Sequence, residues 1–183
     1  ERGSSLVGSE MCIRDRVVRD PAVAQLNQLF EDAWDQDMRE SPVWASMLGD
    51  RRFNREWSDS GEEARARRRA AYSSALKRLA AIDREVLPAD ELVNYELFGD
   101  TYRDRLEAME YRTDLIPISQ RGGIQTLDET GNRLRMESVQ DYEDWLARLR
   151  KVDTLMDETI KRMQAGVRPV SYTHLTLPTR LMV

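Results

Sequence analysis

The chain has 183 residues, with 28 basic and 33 acidic side chains and a net charge of −5. This length allows one domain of ordinary size. The mild acidity disfavours nucleic acid and anionic membranes as partners, because both select basic surfaces. No apolar run approaches the roughly 20 residues that a membrane-spanning helix needs, so we expect no transmembrane segment.

Both ends of the chain resemble translated sequencing-adapter DNA. Met11 to Arg16 (MCIRDR) fits the mosaic end of a transposase library adapter, and Val170 to Thr179 (VSYTHLTLPT) fits the reverse complement of the partner adapter. Segments of this origin have to be excluded from fold reasoning. We therefore predict adapter-derived residues at 1–16 and 169–183, and a genuine helical segment, an N-terminal fragment, at 17–168.

The single cysteine, Cys12, and the single histidine, His174, lie in these two end segments. Without them, the remaining segment has no Cys/His ligands for zinc, no thiolate nucleophile and no imidazole base. We therefore expect no catalytic residue, no metal site and no cofactor in the segment 17–168.

The first predicted helix begins with Asp20 as its N-cap and Pro21 in its first position. It ends before Ser41-Pro42, because the residue before a proline avoids the helical region. A short helical turn over 43–48 and a polar connection over 50–60 follow. Steps of three and four between apolar residues predict one buried stripe, which comprises Val23, Leu26, Leu29, Phe30, Ala33, Trp34 and Met38.

Two longer helices are predicted next. Ser60 and Glu63 form a capping-box pattern that starts a helix ending near Glu85, and a second helix runs from Pro88 to about Arg112. The first of them carries a run of arginines that admits two interpretations, an anion site or, as favoured here, a solvated helix face. The run consists of Arg65, Arg67, Arg68 and Arg69.

Residues 114–136 break the helical pattern and predict a long loop, packed through its isoleucines and of a length typical of functional segments. Its most unusual stretch is Gln120-Arg121-Gly122-Gly123. Paired glycines let a backbone approach a ligand closely, so these four residues are candidates for substrate contact. The alternative, which is favoured, is a tight turn packed under a neighbouring helix.

Two more helices complete the pattern, one capped by Ser138 and one that starts near Val152-Asp153. Their apolar residues are predicted to face inward: Tyr142, Trp145, Leu146 and Leu149 on the first, and Leu155, Met156, Ile160 and Met163 on the second. The sum is an all-α fold of five or six amphipathic helices.

Three pairs of acids invite a catalytic interpretation, because paired carboxylates serve glycoside hydrolysis and di-metal centres. They are Asp35 with Asp37, Asp141 with Asp144, and Asp153 with Asp157. Helix capping and surface solvation explain all three pairs better.

Several motifs resemble those of a bacterial family, domain of unknown function 885 (DUF885). Ser41 to Asp50 followed by Arg52-Phe53-Asn54 resembles its pattern Pro-x-x-Ala-Thr-x-Leu-Gly-Asp-x-Arg-Phe/Tyr-Asp. Four later segments agree in order: Asp90 to Phe98, Pro117 to Gly123, Tyr142 to Leu149, and Met163 to Arg168.

The resemblance implies that the chain is the N-terminal part of a larger all-helical, zincin-type metallopeptidase-like fold. In that family a His-Glu-x-x-Pro-Gly-His helix, which is suited to hold zinc and activate water, lies further downstream. Zinc and a peptide substrate are therefore expected for the parent protein, while this fragment walls the cleft and is inactive alone. Its first partner would be the C-terminal portion of the same polypeptide.

The alternative is a self-contained helical binding module without catalytic activity. The two hypotheses differ in the surface that they predict, since a fragment exposes a large apolar patch where its missing part docks. We expect that patch on the helices of 139–165 and on the loop from Pro117 to Ile124.

Overall fold

A computed structural model describes residues 21–120 and 122–167. Within these ranges it contains seven α-helices joined by turns and short 3-10 helices, and no β-strand, which confirms the all-α prediction. The helices are α1 (Pro21–Glu40), α2 (Pro42–Met47), α3 (Glu62–Ala80), α4 (Ala89–Ala108), α5 (Leu127–Arg133), α6 (Val139–Leu149) and α7 (Val152–Val167). None of the helices in the described ranges is long and apolar enough to cross a membrane.

The main core lies between α1, α3 and α4. Leu26 and Leu29 of α1 meet Leu79 of α3 and Tyr102 of α4 there, and all four side chains are buried. The bounds of α1 agree with the prediction, since Pro21 is its first residue and Pro42 begins the next helix. Asp20, its predicted cap, lies outside the described residues.

The predicted start and end of α3 are wrong. Gly61, and not Ser60, is the N-cap, and no side chain caps the first turn. The Gly61 N–H donates instead to the Asp59 carboxylate (2.9 Å). The helix ends at Ala80 and not near Glu85. Beyond it the Asp83 carboxylate accepts from the Glu85 N–H (3.0 Å) and starts a separate 3-10 turn.

Helix α5 lies inside the segment that was predicted to be a loop. Its Gly131-Asn132 pair indicates a turn in the sequence, yet both residues are helical. A Cβ atom at Gly131 would come within 2.9 Å of Cζ2 of Trp145. Gly131 is therefore required for close approach to the indole of Trp145 and not for chain reversal.

Helix α6 begins where the sequence predicts it. Ser138 Oγ accepts from the Asp141 N–H (3.3 Å), and the Asp141 carboxylate accepts in return from the Ser138 N–H (2.9 Å). This reciprocal arrangement is a capping box, which satisfies two backbone donors that the first turn cannot bond. Hydrogen bonds from Ser138 hold the pKa of Asp141 below its ordinary value.

The predicted orientation of α6 and α7 is wrong for most of their apolar residues. Tyr142, Leu146 and Ile160 are 56%, 50% and 44% exposed, whereas Asp141 and Arg148 are buried. Leu149 and Met156 are exposed as well. The most buried positions of both helices are therefore polar or glycine, and the hydrogen bonds of Arg148 described below supply the reason for α6.

The apolar patch expected on 139–165 and on the 117–124 loop stays a prediction, and several apolar side chains in these ranges are exposed. Besides the residues of α6 and α7, Ile118 in that loop is 38% exposed. Trp34 of α1, predicted to be buried, is 54% exposed, because its side chain lines an open groove between α1 and α4.

The capping box predicts a pH-dependent contribution of Asp141 to stability. A carboxylate with a lowered pKa in the folded state stabilises above its unfolded pKa, and this contribution is lost as the pH falls through the folded value. We expect Asp141→Asn to lower the free energy of unfolding at pH 7, and the gap to wild type to close below about pH 4. Urea unfolding at pH 7, 5 and 3 measures it. Asp128→Asn, at an exposed position in the first turn of α5, should show a smaller gap at pH 7.

Candidate functional site

The most unusual side chain of the described chain is the fully buried Arg148 of α6. Its Nη2 donates to Ser46 Oγ (2.8 Å) and to the Phe53 carbonyl (2.9 Å), with the Pro42 carbonyl at 3.4 Å. All three acceptors belong to α2 or to the turn that follows it, and we call residues 42–57 the α2 segment. We call this set, with Trp57, the Arg148 clamp, since it joins two segments that are about 100 residues apart in the chain.

Trp57 completes the clamp from the side. The Arg148 guanidinium lies 5.6 Å from the centroid of the Trp57 ring, which is cation–π range. In return, Trp57 Nε1 donates to the backbone carbonyl of Arg148 (2.8 Å), and its ring meets Trp145 edge to face at 6.1 Å. The clamp therefore fixes both the side chain and the backbone of α6 against the α2 segment.

The charge of Arg148 is only partly satisfied. Its Nε and Nη1 are buried and donate to no acceptor among the described residues. Burial lowers the pKa of Arg148 to about 10, against the longer-range attraction of Glu56 and Asp144. A buried cation with incomplete hydrogen bonding is costly. Arg148 therefore contributes by fixing the position of α6, and not by forming an ion pair.

A polar cleft of about 240 Å³ lies beside the clamp, between the α2 segment and the start of α6. Its wall includes Ser46, Asn54, Asp141, Asp144 and Trp145. The Oδ1 atom of Asn54 is buried there without a donor in the described part of the chain. The cleft therefore combines an unsatisfied acceptor with three carboxylates, those of Glu137, Asp141 and Asp144.

The three carboxylates of the cleft are already engaged, and Glu137 lies 3.4 Å from Arg51. Asp141 caps α6 and lies 3.4 Å from Arg51, and Asp144 accepts from Arg55 (2.7 Å) and Gln140 (2.8 Å). Although burial opposes it, the hydrogen bond from Arg55 lowers the pKa of Asp144. A lowered pKa keeps Asp141 and Asp144 without a proton to donate and makes each a weaker base, so the pair is poorly suited to general acid–base chemistry.

Asp35 and Asp37 of a second predicted acid pair, and the arginines of the run, are also engaged in ion pairs. Asp35 pairs with Arg52 (2.9 Å), and Asp37 pairs with Arg105 (2.7 Å). The four arginines of α3 contact acids or carbonyls of neighbouring elements, so no free anion site remains in the run: Arg65 with Met109 and Asp114, Arg67 and Arg68 with Glu40, and Arg69 with Glu110.

Hydrogen bonds join the residues on either side of the predicted site. The Ser119 N–H donates to the Gly122 carbonyl (2.8 Å), and Gln125 Nε2 donates to the Ser119 carbonyl (2.8 Å). Gln120 is exposed at the tip, and Arg121 lies outside the described residues. The turn contributes no residue to the polar cleft. The hydrogen bond between Ser119 and Gly122 is consistent with a tight turn, while packing under a neighbouring helix and substrate contact both stay predictions.

A second concave surface is the α1–α4 groove, about 500 Å³ in volume. Its floor is a series of aromatic contacts from Phe30 to Phe98 (5.1 Å between centroids) and from Phe98 to Tyr102 (4.2 Å). Trp34 and the Asp37–Arg105 ion pair add to its lining. Few polar groups over an aromatic surface are typical of ligand pockets.

No three or more His, Cys, Asp and Glu side chains in residues 21–120 and 122–167 are grouped so that they could hold a metal ion. Residues 42–177 match the family described as bacterial protein of unknown function, DUF885. The chain belongs to the DUF885 family. No curated protein and no solved structure matches the chain.

The matched range includes both halves of the Arg148 clamp and excludes α1. It also extends past residue 168 into the segment predicted to be adapter-derived. The residues of the clamp were visible in the DUF885-like motifs, yet the sequence did not single them out. The available signal was a basic residue, Arg148, at helical spacing from Asp141 and Trp145.

The clamp predicts a large effect of truncating its central side chain. Arg148→Ala leaves a cavity and removes the donor to Ser46 and Phe53, so we expect the free energy of unfolding to fall by about 3 kcal/mol. Arg148→Met, which keeps the volume and removes the buried charge, should cost about half of that or less. Urea unfolding measures both.

Arg150→Ala, at the exposed end of the same helix, is the control and should stay within about 0.5 kcal/mol of wild type. Equal losses for Arg148→Ala and Arg150→Ala would contradict the clamp.

The two glycines of the turn should differ in their tolerance of alanine. Gly123 has φ +142°, and a Cβ there would lie 3.0 Å from the Pro117 carbonyl oxygen and 3.1 Å from the Ile118 Cα. We expect Gly123→Ala to cost about 2 kcal/mol or more, because only glycine adopts this backbone region without strain.

A Cβ at Gly122 would meet no atom within 4 Å, so Gly122→Ala should stay within about 0.5 kcal/mol of wild type. Thermal and urea unfolding of both variants test the turn. Similar stabilities for the two variants would show that Gly123 does not hold the strained conformation.

Proposed function

We propose that this chain is the cleft-wall portion of a zinc-dependent, peptidase-like hydrolase, with no catalytic residue of its own and no activity alone. The observation that carries the proposal is the orientation of α6 and α7. Asp141, Arg148 and Thr159 are buried, while Tyr142, Leu146 and Ile160 are exposed to solvent. Apolar surface of this kind is typical of an element covered by a further part of a fold.

The residues of the described chain do not fit a zinc site. Zinc in hydrolases takes three protein ligands from His, Asp, Glu or Cys, and no such group occurs in the described ranges. The proposal therefore assigns zinc to residues elsewhere in the polypeptide, where the metal would activate water. No step of the reaction is assigned to this chain.

The role left to this chain is to shape and support the cleft. The Arg148 clamp fixes α6 against the α2 segment, and such fixation keeps a wall within the tolerance that substrate positioning needs. The turn of Gln120, Arg121, Gly122 and Gly123 is proposed as the part nearest to a peptide substrate. The exposed amide of Gln120 is suited to hydrogen-bond a peptide backbone.

A second candidate function is a self-contained helical binding module. The α1–α4 groove favours it, because a volume of about 500 Å³ and an aromatic floor suit an apolar ligand. In this case Trp34 and Phe98 would contact the ligand directly. One measurement distinguishes the two functions, since only the hydrolase requires catalytic residues in the same polypeptide.

The test is to read the natural frame of the source locus beyond residue 168 and to express the complete protein. We expect a His-Glu-x-x-Pro-Gly-His helix in the frame and chelator-sensitive, zinc-dependent cleavage of peptides by the complete protein. The 183-residue chain with zinc and the same peptides should give no cleavage. Robust zinc-dependent cleavage by the 183-residue chain, or a frame without the motif, would overturn the proposal, and the latter result would leave the binding module.

A further inference from the structure

Along the sequence, the exposed apolar residues of α6 and α7 follow one another with alternating steps of three and four. We call this row the outer seam. Its members are Val139, Tyr142, Leu146, Leu149, Asp153, Met156, Ile160, Met163 and Val167. The spacing is kept across the two-residue connection between the helices. Seven of the nine residues are large exposed hydrophobic side chains.

The opposite row, the inner seam, explains why the outer seam is uncovered. It has the same spacing and is buried or half-buried throughout: Asp141, Trp145, Arg148, Val152, Leu155, Thr159, Arg162 and Gly166. Arg148 bonds to the α2 segment, and Arg162 Nη1 lies 3.5 Å from the Asp114 carbonyl. Since these contacts fix the rotation of both helices, no other part of the described protein can reach the outer seam.

A row with alternating steps of three and four is the pattern that another helix recognises, because it matches the knobs-into-holes geometry of paired helices. We propose that the outer seam binds an amphipathic helix from the remainder of the same polypeptide. That helix carries an apolar seam of its own and a lysine or arginine opposite Asp153. This inference rests on the proposed function and names the partner of the outer seam.

The requirement for a basic residue comes from Asp153, the one charged member of the outer seam. A helix that covers the seam removes the Asp153 carboxylate from water, which is costly without a cation. Within α7, the Oδ1 atom accepts from the Thr154 N–H (2.7 Å) and from Thr154 Oγ1 (3.3 Å). These contacts lie in the first turn of α7 and are neutral, and no described basic side chain forms an ion pair with Asp153.

The exposed flank of the seam supports the same chemistry. Glu143, Arg150 and Asp157 follow one another at seven-residue steps along one edge, and all three are exposed. A partner helix therefore meets an acid, a base and an acid, in the positions where paired helices exchange salt bridges. The complementary flank is basic, acidic and basic.

A second copy of the chain fits the seam less well. The outer seam contains no basic residue, so an identical seam cannot supply a cation to Asp153. In a parallel pair the two Asp153 carboxylates would face each other. In an antiparallel pair each would pack against apolar side chains such as Met156.

The experiment uses the 183-residue protein and two synthetic four-heptad helical peptides as probes. The peptides carry leucine and isoleucine at every seam position and differ only at the central one, which is lysine in the first and glutamate in the second. Fluorescence anisotropy gives the two Kd values. We expect the lysine peptide to bind about tenfold more tightly, because a close charge pair discriminates between partners.

Substitutions locate the binding to the seam. Asp153→Lys should reverse the preference between the two peptides, and Leu146→Asp or Ile160→Asp should each weaken binding at least about tenfold. Leu97→Asp is the matched control, since Leu97 is an exposed apolar residue on α4, away from the seam. It should leave both Kd values unchanged. Unchanged far-UV circular dichroism shows that each variant keeps its helices.

Three results would overturn the inference. The first is an absence of preference between the peptides, and the second is an equal loss of binding for Leu97→Asp and Leu146→Asp. The third is sedimentation of the chain alone as a dimer that Ile160→Asp dissociates, which would assign the seam to a second copy. The hydrolase proposal can be refuted independently of this inference. A natural frame without the zinc motif would refute the hydrolase and would leave the preference for the lysine peptide unchanged.

Discussion

The guanidinium of Arg148 is the constraint on which the rest of this structure depends. It is fully buried, and it bonds to Ser46 and to the Phe53 carbonyl. Those acceptors lie about 100 residues earlier in the chain, so one side chain determines which side of α6 faces the protein. The guanidinium is desolvated and incompletely hydrogen-bonded. A small displacement of α6 would therefore break its hydrogen bonds without exposing it to water. The contact therefore selects one rotation of the helix.

The exposed outer seam is a consequence of that rotation. Once Arg148 and Asp141 occupy the inner side, Leu146 and Leu149 on the other side of the same helix must face away from the body. α7 follows after two residues and keeps the same orientation, with Thr159 buried and Ile160 exposed. Burial of polar residues and exposure of apolar ones on the same helices is unfavourable in an isolated body. It becomes favourable when another helix covers the outer seam.

Membership in the DUF885 family fits this division of the molecule. The matched range contains the clamp and both outward-facing helices, whereas α1 lies before it. The α1–α4 groove is partly built from that first helix, through Phe30 and Trp34. The clamp and the outer seam therefore belong to the part of the chain that the family shares, and half of the aromatic groove comes from a helix beyond it.

The sequence by itself determined the helical class, most helix bounds and the cap of α6, because these depend on local patterns such as Pro21 and the Ser138–Asp141 pair. It also indicated the turn at Gly122-Gly123, where φ of +142° at Gly123 requires glycine. Only the tertiary structure decided which face of each helix is buried. An apolar stripe shows that a helix packs on something, but the partner of Arg148 lies about 100 residues away, and the indole above Gly131 belongs to a different helix. Contacts over such separations are set by the packing of the whole chain, and periodicity along one helix carries no information about them.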